Sequence, residues 1–393
     1  MSGRLTANEV AERLGVELAT VYAYASRGSL TRHAGPDGRS SAYDADEVEL
    51  LARRARPRST RRRPGAVDVV IGTTVSEIGD GWVRYRDHDL IDLVTWARFE
   101  DACQLLWTGD LAEPEPTPDP SDGSERDRLA VVAAVERATA ALPSQAPVTA
   151  RLVTGAAAAS PWIPRATTTE SSVLGASLVV EALIASLPLL GRAAPDGASV
   201  AGRLWPRVSE QAPTPARLRA LDTTLVLLAE HELATSTLAV RVAASTRAKP
   251  AEAVMAGLGT ASGPFHGRAA VRVHRRLAEG LGPSSADALG GFGHPVHEVG
   301  DPRFAPMLER VLAIASPRRR EVIERYVATP PGAEPPNCDA ALGALGFAAA
   351  GEPGITEAIF VIARTAGWLA HAFEEADEVP VRFRGRTLYR GPR

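Results

Sequence analysis

The chain of 393 residues has only two cysteines, Cys103 and Cys338, far apart in sequence. That excludes a disulfide framework and a zinc site built on cysteine. Lysine is nearly absent: Lys249 is the only one, so the basic charge is arginine, a compositional bias with no function attached. No apolar run reaches the roughly 18 residues of a membrane helix. The opening MSGRLTANEVAERLGV has no signal-peptide apolar region. The expectation is a cytoplasmic protein with no membrane partner. No pair of histidines has HExxH spacing, and no repeat of solenoid period is present. A net charge of -3 gives no reason to see the whole chain as a polyanion binder.

What is there is ordinary in bulk. Hydrophobic residues are 45% and charged residues 23%, a soluble globular balance with enough apolar material for two or three domains. The charge is uneven, however. Residues 1–65 hold twelve arginines against eight acids, a balance of +4 that leaves −7 for the rest. A basic piece on an acidic body suggests two jobs.

The basic piece predicts a helix-turn-helix. Thr6 and Glu9 form a capping box, Val10 and Leu14 share a face, and Gly15 makes the turn. A second helix in VELATVYAYASRG turns Leu18, Val21 and Ala25 inward. It presents Thr20, Tyr22, Tyr24 and Arg27 outward, side chains able to reach phosphates or base edges. A Gly-rich hairpin and a third helix from Asp44 or Asp46 follow. This stretch resembles the winged helix-turn-helix domains of the excisionase and MerR type, which implies DNA as a partner; a small helical appendage for protein contacts is the alternative. Residues 1–52 form this module, and 53–65, with seven arginines and two prolines, are a linker.

From Ala66 the texture changes. VDVVIGTTVSEI and GWVRYR predict a short hairpin. Helical spacing then dominates Leu90–Trp107, Asp127–Ala141, Ser171–Leu190, Ala216–Ala229, Thr235–Ala248 and Ile355–Glu375, so the body is expected to be all-α. Residues 112–127, rich in proline and acid, read as a surface loop.

The histidines carry the chemistry. His231, His266, His294, His297 and His371 fall in site-like contexts; His274 in VRVHRRL reads as a helix-surface residue. His294 and His297 lie in GFGHPVHEVGDPR, where Pro295 and Gly300 predict a loop rather than a metal-binding helical face. Asp339, in NCDAALGAL, is a lone acid at the mouth of an apolar helix. It is either the helix N-cap or a base whose pKa burial would raise. Neutral histidines at turns plus one such acid suit acid–base work around a carbonyl.

These stretches occur in the order seen in citrate synthases. RYRDHDLIDLVTWARFEDACQLLWTGDL, HELATSTLAVRVAAST, SGPFHGRA, GFGHPVHEVGDPR, NCDAALGAL, FVIARTAGWLAHAFEE and FRGRTLYRGP together resemble that family over residues 66–393. The resemblance implies a large helical domain, a smaller one at about 268–350 that closes on it, and a homodimer. It implies that acetyl-CoA condenses with oxaloacetate, with a coenzyme A thioester as substrate and no other cofactor or metal. His266 would donate to the thioester carbonyl, Asp339 would take the methyl proton, and His294 would donate to the oxaloacetate carbonyl. His231, Arg303, Arg364 and, from the second subunit, Arg384 would hold oxaloacetate.

The chain also departs from the family. Pro295 and Glu298 stand where small or basic residues are usual, Ala234 and Ala270 where asparagines are, and His297 where tyrosine is. CoA affinity would then be weak, or its anchoring rebuilt by residues such as Arg268 or Arg272. Two alternatives stay open: a 2-methylcitrate synthase using propionyl-CoA, and a DNA-binding regulator whose body senses an acyl-CoA or a dicarboxylate.

Overall fold

The computed structural model describes residues 4–14, 16, 18–26, 30–35, 40–45, 47–48, 69–111, 123–195, 197–263, 266–283 and 291–385. It divides into two units, Met1–Gly72 and Thr73–Arg393.

In the first unit β1 (Arg4–Thr6) leads into α1 (Ala7–Leu14) and α2 (Leu18–Ser26), followed by β2 (Arg32–Ala34) and β3 (Ser41–Asp44). The strands form an antiparallel sheet in the order β1-β3-β2. The expected capping box is present: the Thr6 N–H donates to Glu9 at 2.7 Å, and the Glu9 N–H to Thr6 Oγ1 at 3.4 Å. Val10, Val21, Leu30, Tyr43 and Val48 make a small core. Two expectations for α2 fail. Leu18, in the first turn, is 36% exposed, ahead of where the helix meets this core. Tyr24, three residues after Val21 and so on the same face, packs against the core instead of pointing outward. Thr20 is half-buried and Tyr22 is exposed. Arg27, the linker 53–65 and most of the third helix lie outside the described residues.

The second unit opens with the expected hairpin, β4 (Ser76–Gly79) and β5 (Trp82–Tyr85), extended by β6 (His88–Asp89). Val83 and Tyr85 are buried while Trp82 and Arg84 face out, the period-2 alternation of a one-sided strand. Helices follow: α3 (Leu90–Trp96), α4 (Phe99–Thr108), α5 (Gly123–Ala140), α6 (Val148–Ala159), α7 (Thr169–Ala185), α8 (Val200–Val208), α9 (Pro215–Leu228), α10 (Thr235–Ser245), α11 (Pro250–Ala261), α12 (Ala269–Ala278), α13 (Phe304–Ile314), α14 (Pro317–Ala328), α15 (Cys338–Ala348) and α16 (Ile355–Ala376). The predicted Leu90–Trp107 helix is two helices, broken at extended Ala97 and Arg98. The acidic loop gives way to α5 already at Gly123.

Helix α16 is the axis. It is buried on nearly every side over 22 residues, as a central helix hydrophobic all round should be. Gly367 lets it touch the segment after α9: a Cβ there would fall 1.9 Å from Glu230 Oε2. That close approach sets Arg364 of α16 beside the loop that carries His231. No helix among the described residues is long and apolar enough to cross a membrane.

Candidate active site

The loop 291–303 is built around a turn. Gly291 has φ +89, and a Cβ there would lie 3.1 Å from Ala340 Cα in α15, so only glycine permits the contact. Asn337 ties the two segments together. Its N–H donates to the Gly291 carbonyl at 2.9 Å and its side-chain amide to the Gly293 carbonyl at 2.6 Å. Asn337 is also the N-cap of α15, accepting from the Asp339 N–H at 2.9 Å. Asp339 is therefore not the cap. Its carboxylate takes no hydrogen bond among the described residues, and burial pushes its pKa up to about 6.

Asp301 locks the same corner. It holds Arg303 through both oxygens, at 2.8 and 2.9 Å, and accepts from the Cys338 N–H at 2.9 Å. Burial alone would raise its pKa, but the Arg303 guanidinium outweighs this and keeps the carboxyl far below the usual range. The fork of Arg303 is thus fixed, with Nη2 lying 3.4 Å from His294 Nε2.

His294 has a defined tautomer. Its Nδ1 accepts backbone N–H groups from Val296 and His297 at 3.1 and 3.2 Å, so Nε2 carries the proton. His294 Nε2–H and the Arg303 guanidinium are then two donors facing one point, which calls for an oxygen acceptor between them. His297 stacks on His294 at 4.7 Å between ring centroids, and its Nε2 is 3.3 Å from His231 Nε2. The three imidazoles place nitrogens within 4.8 Å of one another, close enough for a metal. Yet a metal at His294 Nε2 would force the proton onto Nδ1, against two N–H donors, and would meet Arg303. The arrangement suits a carbonyl or carboxylate better than a cation.

His266 stands after the α11 turn. Its Nε2 is 2.7 Å from Ser236 Oγ, which also accepts from Trp368 Nε1 at 3.3 Å. Phe360 links it to Arg364: the ring lies 6.1 Å from the His266 ring and 5.2 Å from the guanidinium carbon. Arg364 donates through Nε to the Leu228 carbonyl at 2.9 Å. Its charge acts on His231, His266, His294 and Asp339 alike. Burial, with these arginines, lowers His266 and His294 to about 4 and His231 well below its usual value. All three imidazoles are neutral at pH 7 and able to donate one hydrogen bond without bringing charge. Arg384 is exposed on the segment after α16, with its N–H on the Arg382 carbonyl.

Residues 66–386 match the family profile described as citrate synthase, C-terminal domain. The chain belongs to the citrate synthase family. The citrate synthase of Saccharolobus solfataricus is 31% identical over 204 residues, 46% of this chain and 54% of that protein, so the match spans little more than half of that relative. The 2-methylcitrate synthase of Mycobacterium tuberculosis is 26% identical over 352 residues, 80% of this chain and 87% of that one. Among solved structures, a citrate synthase from Thermoplasma acidophilum, in ternary complex with carboxymethyl coenzyme A and oxaloacetate, has a TM-score of 0.69 at 21% identity. It covers 83% of this chain and 94% of its own. That likeness establishes the fold.

Within this citrate synthase family member, the departures fall in two kinds of place. Pro295 and Glu298 are exposed on the histidine loop, while Ala270 is buried in α12 and Ala234 begins α10 without a capping side chain. Arg268 is half-exposed, 3.9 Å from Glu357. His274 is a correction: it is 2% exposed, on the face of α12 shared with Ala270 and Leu277, not on the surface. His371 is a fully buried, hydrogen-bonded core histidine. Sequence reasoning gave no role to Asp301, Ser236 or Arg241. A signal existed for each: an acid two residues before Arg303, a hydroxyl five residues after His231 in the first turn of α10, and a lone arginine in an apolar helix.

Proposed function

We propose that the body condenses a short acyl-CoA with oxaloacetate and hydrolyses the resulting thioester. The observation that carries this reading is one unbonded, desolvated carboxylate, Asp339, in the same electrostatic neighbourhood as neutral imidazole donors and two buried guanidiniums. His266 donates to the thioester carbonyl while Asp339 removes the adjacent C–H proton. Acting at the two ends of one three-atom unit, they yield the enol without a free enolate. The enol carbon then attacks the oxaloacetate carbonyl, which takes a hydrogen bond and then a proton from His294 Nε2. His231, Arg303 and Arg364 hold the two carboxylates, for which planar guanidinium forks are suited. Arg384 completes this clamp from the second subunit of a homodimer, and residues 268–350 form the part that closes on substrate. Acetyl-CoA and propionyl-CoA differ by one methylene, worth only about 1–3 kcal/mol in an apolar pocket, so both citrate and 2-methylcitrate are candidate products.

The pH profile tests the base. Asp339 acts only when ionised, and its pKa is raised to about 6 by burial, so kcat/KM should fall as pH drops through about 6. His266 and His294, near 4, stay neutral across that range and add no limb there. A rate unchanged down to pH 5 would remove Asp339 as the base.

The first unit supports a second job. A strand, two helices and an antiparallel hairpin on a basic stretch fit a winged helix-turn-helix, with Thr20, Tyr22 and Arg27 as the groove-facing side chains. A dimeric body would place two such heads about one axis, as palindromic half-sites require. In a mobility-shift assay with the full chain, binding should weaken with a log–log salt slope of several units. No shift at low salt would leave the unit as a protein-contact module.

A further inference from the structure

A buried charged chain runs behind His231. His371 has no exposed surface, and its Nδ1 accepts from Arg241 Nε and Nη2 at 3.1 and 2.8 Å. Its Nε2 therefore carries the ring proton and donates to Glu230 Oε1 at 3.2 Å. Arg241, also fully buried, pairs with Glu375 at 3.0 Å and with Glu374. Glu375 receives Arg382 on both oxygens, at 2.7 and 2.6 Å, and Glu374 receives the Thr74 N–H at 2.7 Å.

Glu230, the residue before His231, is held from further directions. Ser76 Oγ donates to its carboxylate at 3.1 Å, and its N–H donates to the Tyr85 hydroxyl at 3.0 Å. Just after His231, Glu232 has φ +52, a conformation a non-glycine residue keeps only when its surroundings enforce it.

Stability does not account for this chain of charges. Buried ion pairs recover their desolvation cost only in part, and well-packed apolar side chains often do as well. Such an assembly can instead define a position, and the position it defines is that of the segment bearing His231. We propose that Arg241 and His371 are positioning residues that set His231 for oxaloacetate through Glu230. The inference rests on the proposed role of His231.

Oxaloacetate binding to the full chain, measured by calorimetry beside the thermal midpoint, tests it. His371→Leu cuts the chain. His371→Gln keeps an N–H for Glu230 and an oxygen for Arg241. His371→Leu should weaken oxaloacetate about tenfold, with the acyl-CoA KM changed less than about twofold, and His371→Gln should recover most of the affinity. Tyr85→Phe, a milder change at the same clamp, should weaken oxaloacetate about threefold and carries the test if the Leu variant does not fold. Unchanged affinity in the folded variants overturns the proposal. So does a Gln variant no better than Leu. If the wild-type chain binds no oxaloacetate, this inference and the proposed function fall together; wild-type binding indifferent to these substitutions removes this inference alone.

Discussion

Asp339→Asn should leave a folded protein whose release of CoA is slower by about a thousandfold, within the range that a positioned base contributes. The physical grounds are specific. Asn337, not Asp339, caps α15, so the substitution costs the helix no cap. The carboxylate accepts no hydrogen bond among the described residues, so the amide breaks none there. Removing a desolvated negative charge should, if anything, raise the thermal midpoint. Loss of rate with an equal or higher midpoint separates a chemical role from a structural one. A variant with near wild-type turnover would show that another group takes the proton.

Arg303→Met should fail in two ways that can be pulled apart. The guanidinium is buried against Asp301, and breaking a buried pair by removing one partner costs about 3–5 kcal/mol, because the other charge is left uncompensated. The midpoint should drop. Oxaloacetate should also bind about a hundredfold or more weakly, since charge-assisted contacts of this kind are worth several kcal/mol. Asp301→Asn with Arg303→Met then distinguishes the two effects. The asparagine can still accept from the Cys338 N–H and leaves no unpaired charge, so stability should return towards wild type. Oxaloacetate affinity should not return, because the fork is gone. Recovery of both would mean that Arg303 serves the fold alone.

Much of this was legible in the sequence, for physical reasons. Helical periodicity located seven of the body's fourteen described helices, because each buries one stripe or more. Pro295 and Gly300 marked the His294 loop correctly, since those residues fit poorly in a helix. Asp339 stood out as an acid before an apolar run. Its two readings, cap or base, could not be separated without knowing that Asn337 already fills the cap. Other residues depended on three-dimensional packing. Tyr24 and His274 looked outward by chemical type, yet both lie three or four residues from buried neighbours on their own helices, and that spacing was the better guide. Asp301 and Arg241 draw their roles from partners brought in by the fold: Cys338 is 37 positions from Asp301, and His371 is 130 from Arg241. Such couplings leave no local trace beyond a charge in an apolar setting. The three-histidine cluster likewise needed the geometry: only the backbone N–H groups on His294 Nδ1 decide between a metal and an oxygen acceptor.

The most direct test of the central claim is thiol release by the purified full chain given oxaloacetate with acetyl-CoA and, in parallel, propionyl-CoA. The account predicts turnover that requires oxaloacetate, with the faster thioester naming the natural acyl group. No release with either thioester, from protein that is folded and binds oxaloacetate, would contradict it and leave a ligand-sensing body in its place.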